Sequence, residues 1–312
     1  MKSTGHTITD SCSYYEKSRQ GYYDRIKFDS YRKSSSKAVL DKVKEIRELL
    51  PKCGTRKLQY LLKKDGIKIG RDSLLALLRE KKLLIKRKGR FVKTTDSEHS
   101  LTSYDNLLKE HEITEAEEVF VSDITYIYTL EGFCYLAIVA DAYTKKIMGK
   151  FISQDMQTTL VLKSLLEALK NKQYSGPLIH HSDHGSQYSS RSYTNALKLS
   201  EIIISMAARG KAWENPVAER IMGILKQEFG LKQRFKTLKD AYGQIELAVW
   251  KYNMIRPHLS CGYLTPNQAH GKGKDLVNLW RKKLSTYPQK EERKKEAKKE
   301  RRKTTTTTVK YI

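Results

Sequence analysis

Three carboxylates in this 312-residue chain stand where an acid could do chemistry. Asp123 sits in Ser-Asp-Ile-Thr-Tyr-Ile, among the apolar residues of an expected strand, where an acid is costly unless it is paired or holds a cation. Asp183 sits in His-His-Ser-Asp-His-Gly-Ser-Gln-Tyr, just past a short apolar strand, at the kind of strand end where open α/β sheets place their sites. Glu219 sits in Glu-Asn-Pro-Val-Ala-Glu-Arg, one turn into a helix that Asn215 caps and Pro216 opens. Each acid alone reads better as a cap, a turn or a surface charge. Together they suit two divalent cations, held roughly 3.5–4 Å apart, that activate the attacking oxygen and stabilise the leaving one in phosphoryl transfer on DNA. Mg²⁺ is a hard ion that takes carboxylate oxygens and keeps some of its water, so three acids suffice.

The elements that must position these acids follow from hydrophobic periodicity. From Val119 the period is two, over 118–129, 133–141 and 147–153, with turns at Glu131-Gly132 and Thr144-Lys145-Lys146. That pattern predicts a three-stranded antiparallel meander. Helices are expected over 158–170, 189–199, from Asn215-Pro216 onward and over 238–255, with short strands at 178–181 and 202–204. A meander followed by helix–strand alternation gives an α/β domain with a mixed sheet. In the helix that carries Glu219, Val217, Ile221, Ile224 and Leu225 face the core. Glu219, Met222, Gly223 and Lys226 share another face, where Gly223 admits a DNA backbone and Lys226 meets phosphate.

Upstream, 14–27 reads as a short aromatic and basic helix or turn. Ser34-Ser35-Ser36 then caps a helix bearing Val39, Val43, Ile46 and Leu50. Leu58, Leu61 and Leu62 mark a second helix that ends near Gly66, and Asp72 or Ser73 caps a third with Leu74, Leu75, Leu77 and Leu78 inside. Three short helices with a tight turn between the last two predict a helix-turn-helix-like region.

Charge is distributed to match. The chain carries +25 overall. Residues 31–93 hold 21 Lys/Arg against 6 Asp/Glu and residues 281–310 hold 13 against 4, whereas 94–280 balance at 21 each. Two basic segments around a neutral body point to nucleic acid, with an anionic membrane surface second. Arg71, Lys81, Lys82, Lys86, Arg87, Lys88 and Arg90 would reach phosphates, as would Arg209 and Lys211 in a Gly-bearing loop and Arg256 after the last helix. The expected organisation is an N-terminal aromatic segment at 1–30, a helical DNA-binding domain at 31–93, a polar linker at 94–116, a catalytic core at 117–273 and a basic tail at 274–312. No run of 18 apolar residues occurs, which excludes a membrane-spanning helix. The first ten residues have no apolar stretch to serve as a secretory signal. The four scattered cysteines form neither a zinc site nor a disulfide framework and suit a reducing cytosol.

The spacing of Asp183 and Glu219, with 35 residues between them, resembles the Asp, Asp-35-Glu signature of retroviral integrases and bacterial insertion-sequence transposases. The wording narrows the resemblance. Asp-Ile-Thr-Tyr-Ile (123–127), Tyr-Leu-Ala-Ile-Val-Ala-Asp (135–141), His-Ser-Asp-His-Gly-Ser-Gln-Tyr (181–188), Asn-Pro-Val-Ala-Glu (215–219), Tyr-Asn-Met-Ile-Arg-Pro-His (252–258) and Gly-Tyr-Leu-Thr-Pro (262–266) occur in order. Over about 14–270 the chain is similar to the second-reading-frame product of the IS-three family of insertion-sequence transposases.

The resemblance implies a ribonuclease H-like core with a five-stranded mixed sheet, dependence on two Mg²⁺ or Mn²⁺ ions, and Asp123, Asp183 and Glu219 as metal-binding catalytic residues. It implies hydrolysis of one strand at the element's end, followed by in-line attack of the freed 3′-hydroxyl on another phosphodiester. The implied partners are the terminal inverted repeats and target DNA, further copies of the chain assembled on DNA, and an upstream reading-frame product fused by frameshifting. The implied location is the bacterial cytoplasm and nucleoid. His184, Asn215, Tyr252 and His258 would support the site, although core packing is the better reading of Tyr252. Relatives commonly have Asp-Asn-Ala where Glu214-Asn215-Pro216 stands and Arg or Asn where His184 stands; neither departure removes a carboxylate. Two other readings stay open: a regulator derived from a transposase that binds DNA without cutting it, and a ribonuclease H-fold nuclease that hydrolyses without joining.

Overall fold

A computed structural model describes residues 7–85 and 103–276, in two compact units divided at about Gly89. In the first unit, α1 (Ile8–Tyr14) is closed by a capping box between Thr7 and Asp10. A single long helix, α2 (Arg19–Leu49), follows, capped by the Ser18 side chain on the Gly21 amide. The expected break at Ser34-Ser35-Ser36 does not occur. No Gly or Pro interrupts residues 22–50, and serine costs a helix interior only about half a kcal/mol, so the helix runs through. α3 (Thr55–Lys64) packs on α2 and α4 (Arg71–Glu80) on α3, with Val39, Val43, Leu58, Leu62, Leu74 and Leu78 all buried. Gly70, not Asp72 or Ser73, occupies the cap of α4, and no side chain closes it.

The second unit is built on one sheet, β1 (Val119–Thr129), β2 (Gly132–Asp141), β3 (Ile147–Ser153), β4 (Ile179–Ser182) and β5 (Ile203–Met206). Its order is β3-β2-β1-β4-β5. The first three strands form the expected antiparallel meander, β4 joins parallel to β1 and β5 parallel to β4, which completes the expected mixed five-stranded sheet. β2 is buried on both faces from Leu136 to Asp141. On one face α5 (Thr158–Lys170) and α6 (Arg191–Leu199) close over Phe120, Ala137, Val139 and Met148. α7 (Pro216–Glu228) and α8 (Leu238–Met254) pack against β1 and β2, and the short α9 (Pro266–His270) lies against α8. Residues 103–116 are folded onto this unit: Ser205 Oγ accepts from the Leu107 amide, and the Asn106 side chain donates to Glu214.

Gly149 shows how closely α5 sits on β3. A methyl group there would lie 2.1 Å from the Ser164 carbonyl and 2.5 Å from the Ala168 nitrogen, both main-chain atoms. Gly149→Ala is therefore expected to cost about 3 kcal/mol, the upper end of core overpacking, read as a lower urea midpoint.

A buried charged clasp secures α9. His270 Nε2 lies 3.1 Å from Glu117 Oε1, its Nδ1 lies 3.5 Å from Asp141 Oδ2, and all three side chains are buried. The Glu117 carboxylate also accepts from the amides of Gln173 and Tyr174. Burial opposes charge on both partners. The contacts to Asp141 and Glu117 outweigh it and hold His270 above its ordinary 6.5, and the bonds from His270 and the two amides hold Glu117 below its ordinary value. A raised histidine stabilises fully below 6.5 and loses that contribution as pH rises through its folded pKa. Stability should fall from neutral into alkaline pH, and His270→Gln should flatten that slope in urea titrations.

Candidate active site

The three acids reach one place from three elements: Asp123 from the middle of β1, Asp183 from the residue after β4, and Glu219 from the first turn of α7. Strand pairing brings the first two together, because β4 runs parallel to β1 with Val121 opposite His181. The third is brought in by Asn215. Its side chain does not cap α7 as expected; Nδ2 donates to the Ser122 carbonyl at 2.8 Å and ties the helix start to the residue before Asp123. Asn215 is buried, and its position ahead of the helix was the only signal of this role.

The carboxylates feel one another. Burial, the charge of Asp183 and, less strongly, that of Glu219 push Asp123 up to about 8, against the opposing Ile124 amide and Lys226. Burial and Asp183 also raise Glu219. Asp123 is half-buried and Glu219 is exposed, so the site opens to solvent on the α7 side. Among the described residues, no three or more His, Cys, Asp or Glu side chains already converge tightly enough to grip an ion.

A buried polar layer supports β1 and β4. The Ser122 and Tyr193 hydroxyls lie 2.7 and 2.9 Å from His180 Nε2, and burial, with the neighbouring His181, pushes that ring down to about 3, so it is neutral. His181 Nδ1 pairs with Ser205 Oγ at 2.8 Å. Both histidines are framework, as the end of a strand already suggests for His180, and the alternation of β1 sends Asp123 one way and Ser122, the neighbour of His180, the other. Gly185 lies against the acid: a methyl group there would stand 3.1 Å from Asp183 Oδ1. His184, beside Asp183, is buried rather than presented to a substrate.

The expected cations fare differently. Lys226 stands beside the site with Nζ 4.5 Å from the Tyr126 ring centre, and burial lowers its pKa despite Tyr126 and Asp123. Gly223 faces open space, as expected, but Met222 belongs to the core rather than to the Glu219 face, because α7 packs on two sides. Arg209 and Lys211 are exposed in the loop between β5 and α7, with Lys211 4.0 Å from Glu214. Glu214 is itself held down to about 2 by the Ala208 amide and Asn106.

Arg256 is not available to a phosphate. It is 4% exposed and makes a bidentate pair with Glu228, at 2.7 and 2.8 Å, while Nη1 meets His258 Nε2. Tyr252 is buried, donates to the Lys145 carbonyl and packs against the His258 ring. Asn253, which the motif also offers as a contact to DNA or to an active-site acid, instead exchanges two hydrogen bonds with the Ile147 main chain. The Tyr-Asn-Met-Ile-Arg-Pro-His motif is therefore architectural. In the first unit, exposed Arg71 pairs with Asp72 and Lys81 with Glu80, and Lys82 is exposed. Lys86, Arg87, Lys88, Arg90 and the tail from 277 lie outside the described residues.

Two family models, both described as integrase core domain, match residues 113–212 and 200–266. The chain is 36% identical over 262 residues to the insertion element IS600 uncharacterized 31 kDa protein of Shigella sonnei, covering 82% of this chain and 95% of that one. It is 32% identical to the transposase for insertion sequence element IS629 of the same species, over 69% of this chain and 73% of the relative. It is 30% identical to transposase InsF for insertion sequence IS3A of Escherichia coli strain K12, over 70% and 77%.

Proposed function

The chain belongs to the IS-three family of insertion-sequence transposases, DNA-transposing enzymes with an integrase-type catalytic core, and on that premise we propose that Asp123, Asp183 and Glu219 are its catalytic acids. The observation that carries this reading is the delivery of three carboxylates to one place by three separate elements, the middle of β1, the end of β4 and the first turn of α7.

The donor set fits a hard divalent cation. It consists of carboxylate oxygens alone, and Asp123 is pushed toward its neutral form by burial and by its neighbours' charge, a cost that a nearby cation removes. Asp123, Asp183 and Glu219 would hold two Mg²⁺ or Mn²⁺ ions, which supply activation of the attacking oxygen and neutralisation of the leaving one. The chain's own contribution is position. Asn215 sets α7 against β1, the loop around Gly185 holds Asp183, and Lys226 places positive charge where a phosphate would approach. No covalent bond between protein and DNA is needed: hydrolysis frees a 3′-hydroxyl, which displaces another strand's 3′-oxygen in line.

The helical unit and its basic flank are proposed to grip the terminal inverted repeats, with Arg71, Lys81 and Lys82 toward phosphates. The enzyme acts as an oligomer on DNA, fused to or associated with an upstream reading-frame product, in the bacterial cytoplasm. Among the described residues no helix is long and apolar enough to cross a membrane. The test incubates the purified chain with a labelled inverted-repeat duplex, a second duplex and Mg²⁺. Products joined to the second duplex support transposition. Cutting without joining would favour a nuclease, and uncut DNA bound tightly would favour a regulator.

A further inference from the structure

The exposed end of the β1–β2 hairpin carries aromatic surface that the catalytic reading does not use. Tyr128 and Phe133 are cross-strand partners, 43% and 50% exposed, with ring centres 5.1 Å apart. Tyr126 lies edge-on to both, at 5.2 and 6.2 Å. Exposed aromatic clusters cost solubility and usually mark a binding surface.

The α7–α8 connection is bonded along this end. The Leu130 amide donates to the Phe235 carbonyl and the Phe235 amide to the Tyr128 carbonyl, both at 2.9 Å. Phe235 is thereby buried, and Lys232, Arg234 and Lys236 on either side of it are exposed. Residues 226–239 hold five Lys/Arg and one Glu, and that Glu228 is already matched by Arg256. In a body whose residues 94–280 balance 21 Lys/Arg against 21 Asp/Glu, this is a local positive surface. It reaches toward the acids around the strand rather than along their face: Lys226 lies over the Tyr126 ring, on the side of β1 opposite Asp123, and also acts on the charge of Asp123, three residues back along β1.

We propose that the hairpin face Tyr126, Tyr128 and Phe133, with Lys232, Arg234 and Lys236 beside it, binds an unpaired DNA strand close to the catalytic acids. Exposed rings flanked by cations match a single strand, whose bases stack while its phosphates meet Lys and Arg. A duplex hides its base faces and can use only the cations. The strand end freed by cleavage, or frayed before it, is the occupant that a cutting and joining enzyme generates a few nucleotides from its acids. The inference rests on the transposase reading for its substrate, though not for its measurement.

The test uses the full chain without divalent cation, and fluorescence anisotropy with a labelled oligothymidylate of about 12 nucleotides and a duplex of equal length. Tyr128→Ala with Phe133→Ala should weaken the single strand by about tenfold or more, since stacking is worth about 1–3 kcal/mol per base, and leave the duplex within about twofold. Tyr128→Phe should retain binding. Lys232→Ala with Arg234→Ala and Lys236→Ala should lower the single-strand salt slope by about two. Unchanged single-strand affinity in the aromatic pair, or equal losses for both DNAs, would overturn the proposal. Circular dichroism checks that the variants fold, and wild-type joining of duplex ends with Mg²⁺ reports on the transposase reading separately.

Discussion

Asp123→Asn should make the cation-free protein more stable at pH 8 while abolishing strand transfer. The physical basis is the position of Asp123 on β1, half-buried beside Asp183 and Glu219, with its pKa pushed up to about 8. An acid whose folded pKa lies above its unfolded one binds its proton more tightly when folded, so its contribution to stability is present at low pH and is lost as pH rises from the ordinary 3.8 toward about 8. At pH 8 most of that loss is incurred. Allowing for water reaching a half-buried carboxylate, it amounts to a few kcal/mol, or roughly 5–10 °C in Tm for a unit of this size. Asparagine keeps the shape and removes the charge. The gain should grow between about pH 4 and pH 8 and then level off, as measured by thermal melts in chelator. Mg²⁺ should raise the wild-type Tm and leave Asp123→Asn unmoved, because a ligand stabilises only the state that binds it. An Asp123→Asn protein that melts lower than wild type at pH 8 would mean that the acid is not under repulsion.

Arg256→Ala should destabilise the catalytic unit by about 3–5 kcal/mol, the usual cost of removing one partner from a buried ion pair. Its guanidinium holds both oxygens of Glu228 and one nitrogen of His258, linking the end of α7 to the segment after α8. The substitution leaves the Glu228 carboxylate, 20% exposed in the intact pair, without its bidentate cation. Lysine should restore only part of the loss, because one ammonium cannot match the planar fork. Arg256→Ala combined with Glu228→Ala should cost less than the sum of the two single changes, the signature of a direct pair. The Tm should drop by roughly 10 °C. A phosphate-contacting arginine would behave differently: DNA affinity and its salt slope would fall and the melting curve would not move.

What could be read from the sequence, and what could not, divides along physical lines. The three meander strands and helices α5 to α8 announce themselves because Val, Ile, Leu and Tyr recur at the period of each element. The acids stand out only as a set, through the resemblance that their interval and the surrounding wording carry; each alone has an innocent explanation as a cap, a turn or a surface charge. Pairings across long separations were not legible. Nothing near Arg256 in sequence signals Glu228, 28 residues earlier, and nothing in Pro-Asn-Gln-Ala-His signals that His270 meets Glu117, 153 residues away. An arginine in a polar motif looks the same whether it awaits phosphate or already holds a carboxylate. Serine likewise marks a helix cap or an indifferent exposed position, and only the unbroken run through α2 decides which.

The most direct measurement compares strand joining by wild type, Asp123→Asn, Asp183→Asn and Glu219→Gln under one set of conditions with Mg²⁺. The account predicts joined product from wild type alone, each variant falling by at least about 10³-fold, with double variants no worse than single ones because the acids act as one unit. Inverted-repeat binding should persist in all three variants, since the affinity for DNA is placed in the basic segments. Joining by any one variant at the wild-type rate would contradict the claim that Asp123, Asp183 and Glu219 form a single catalytic centre.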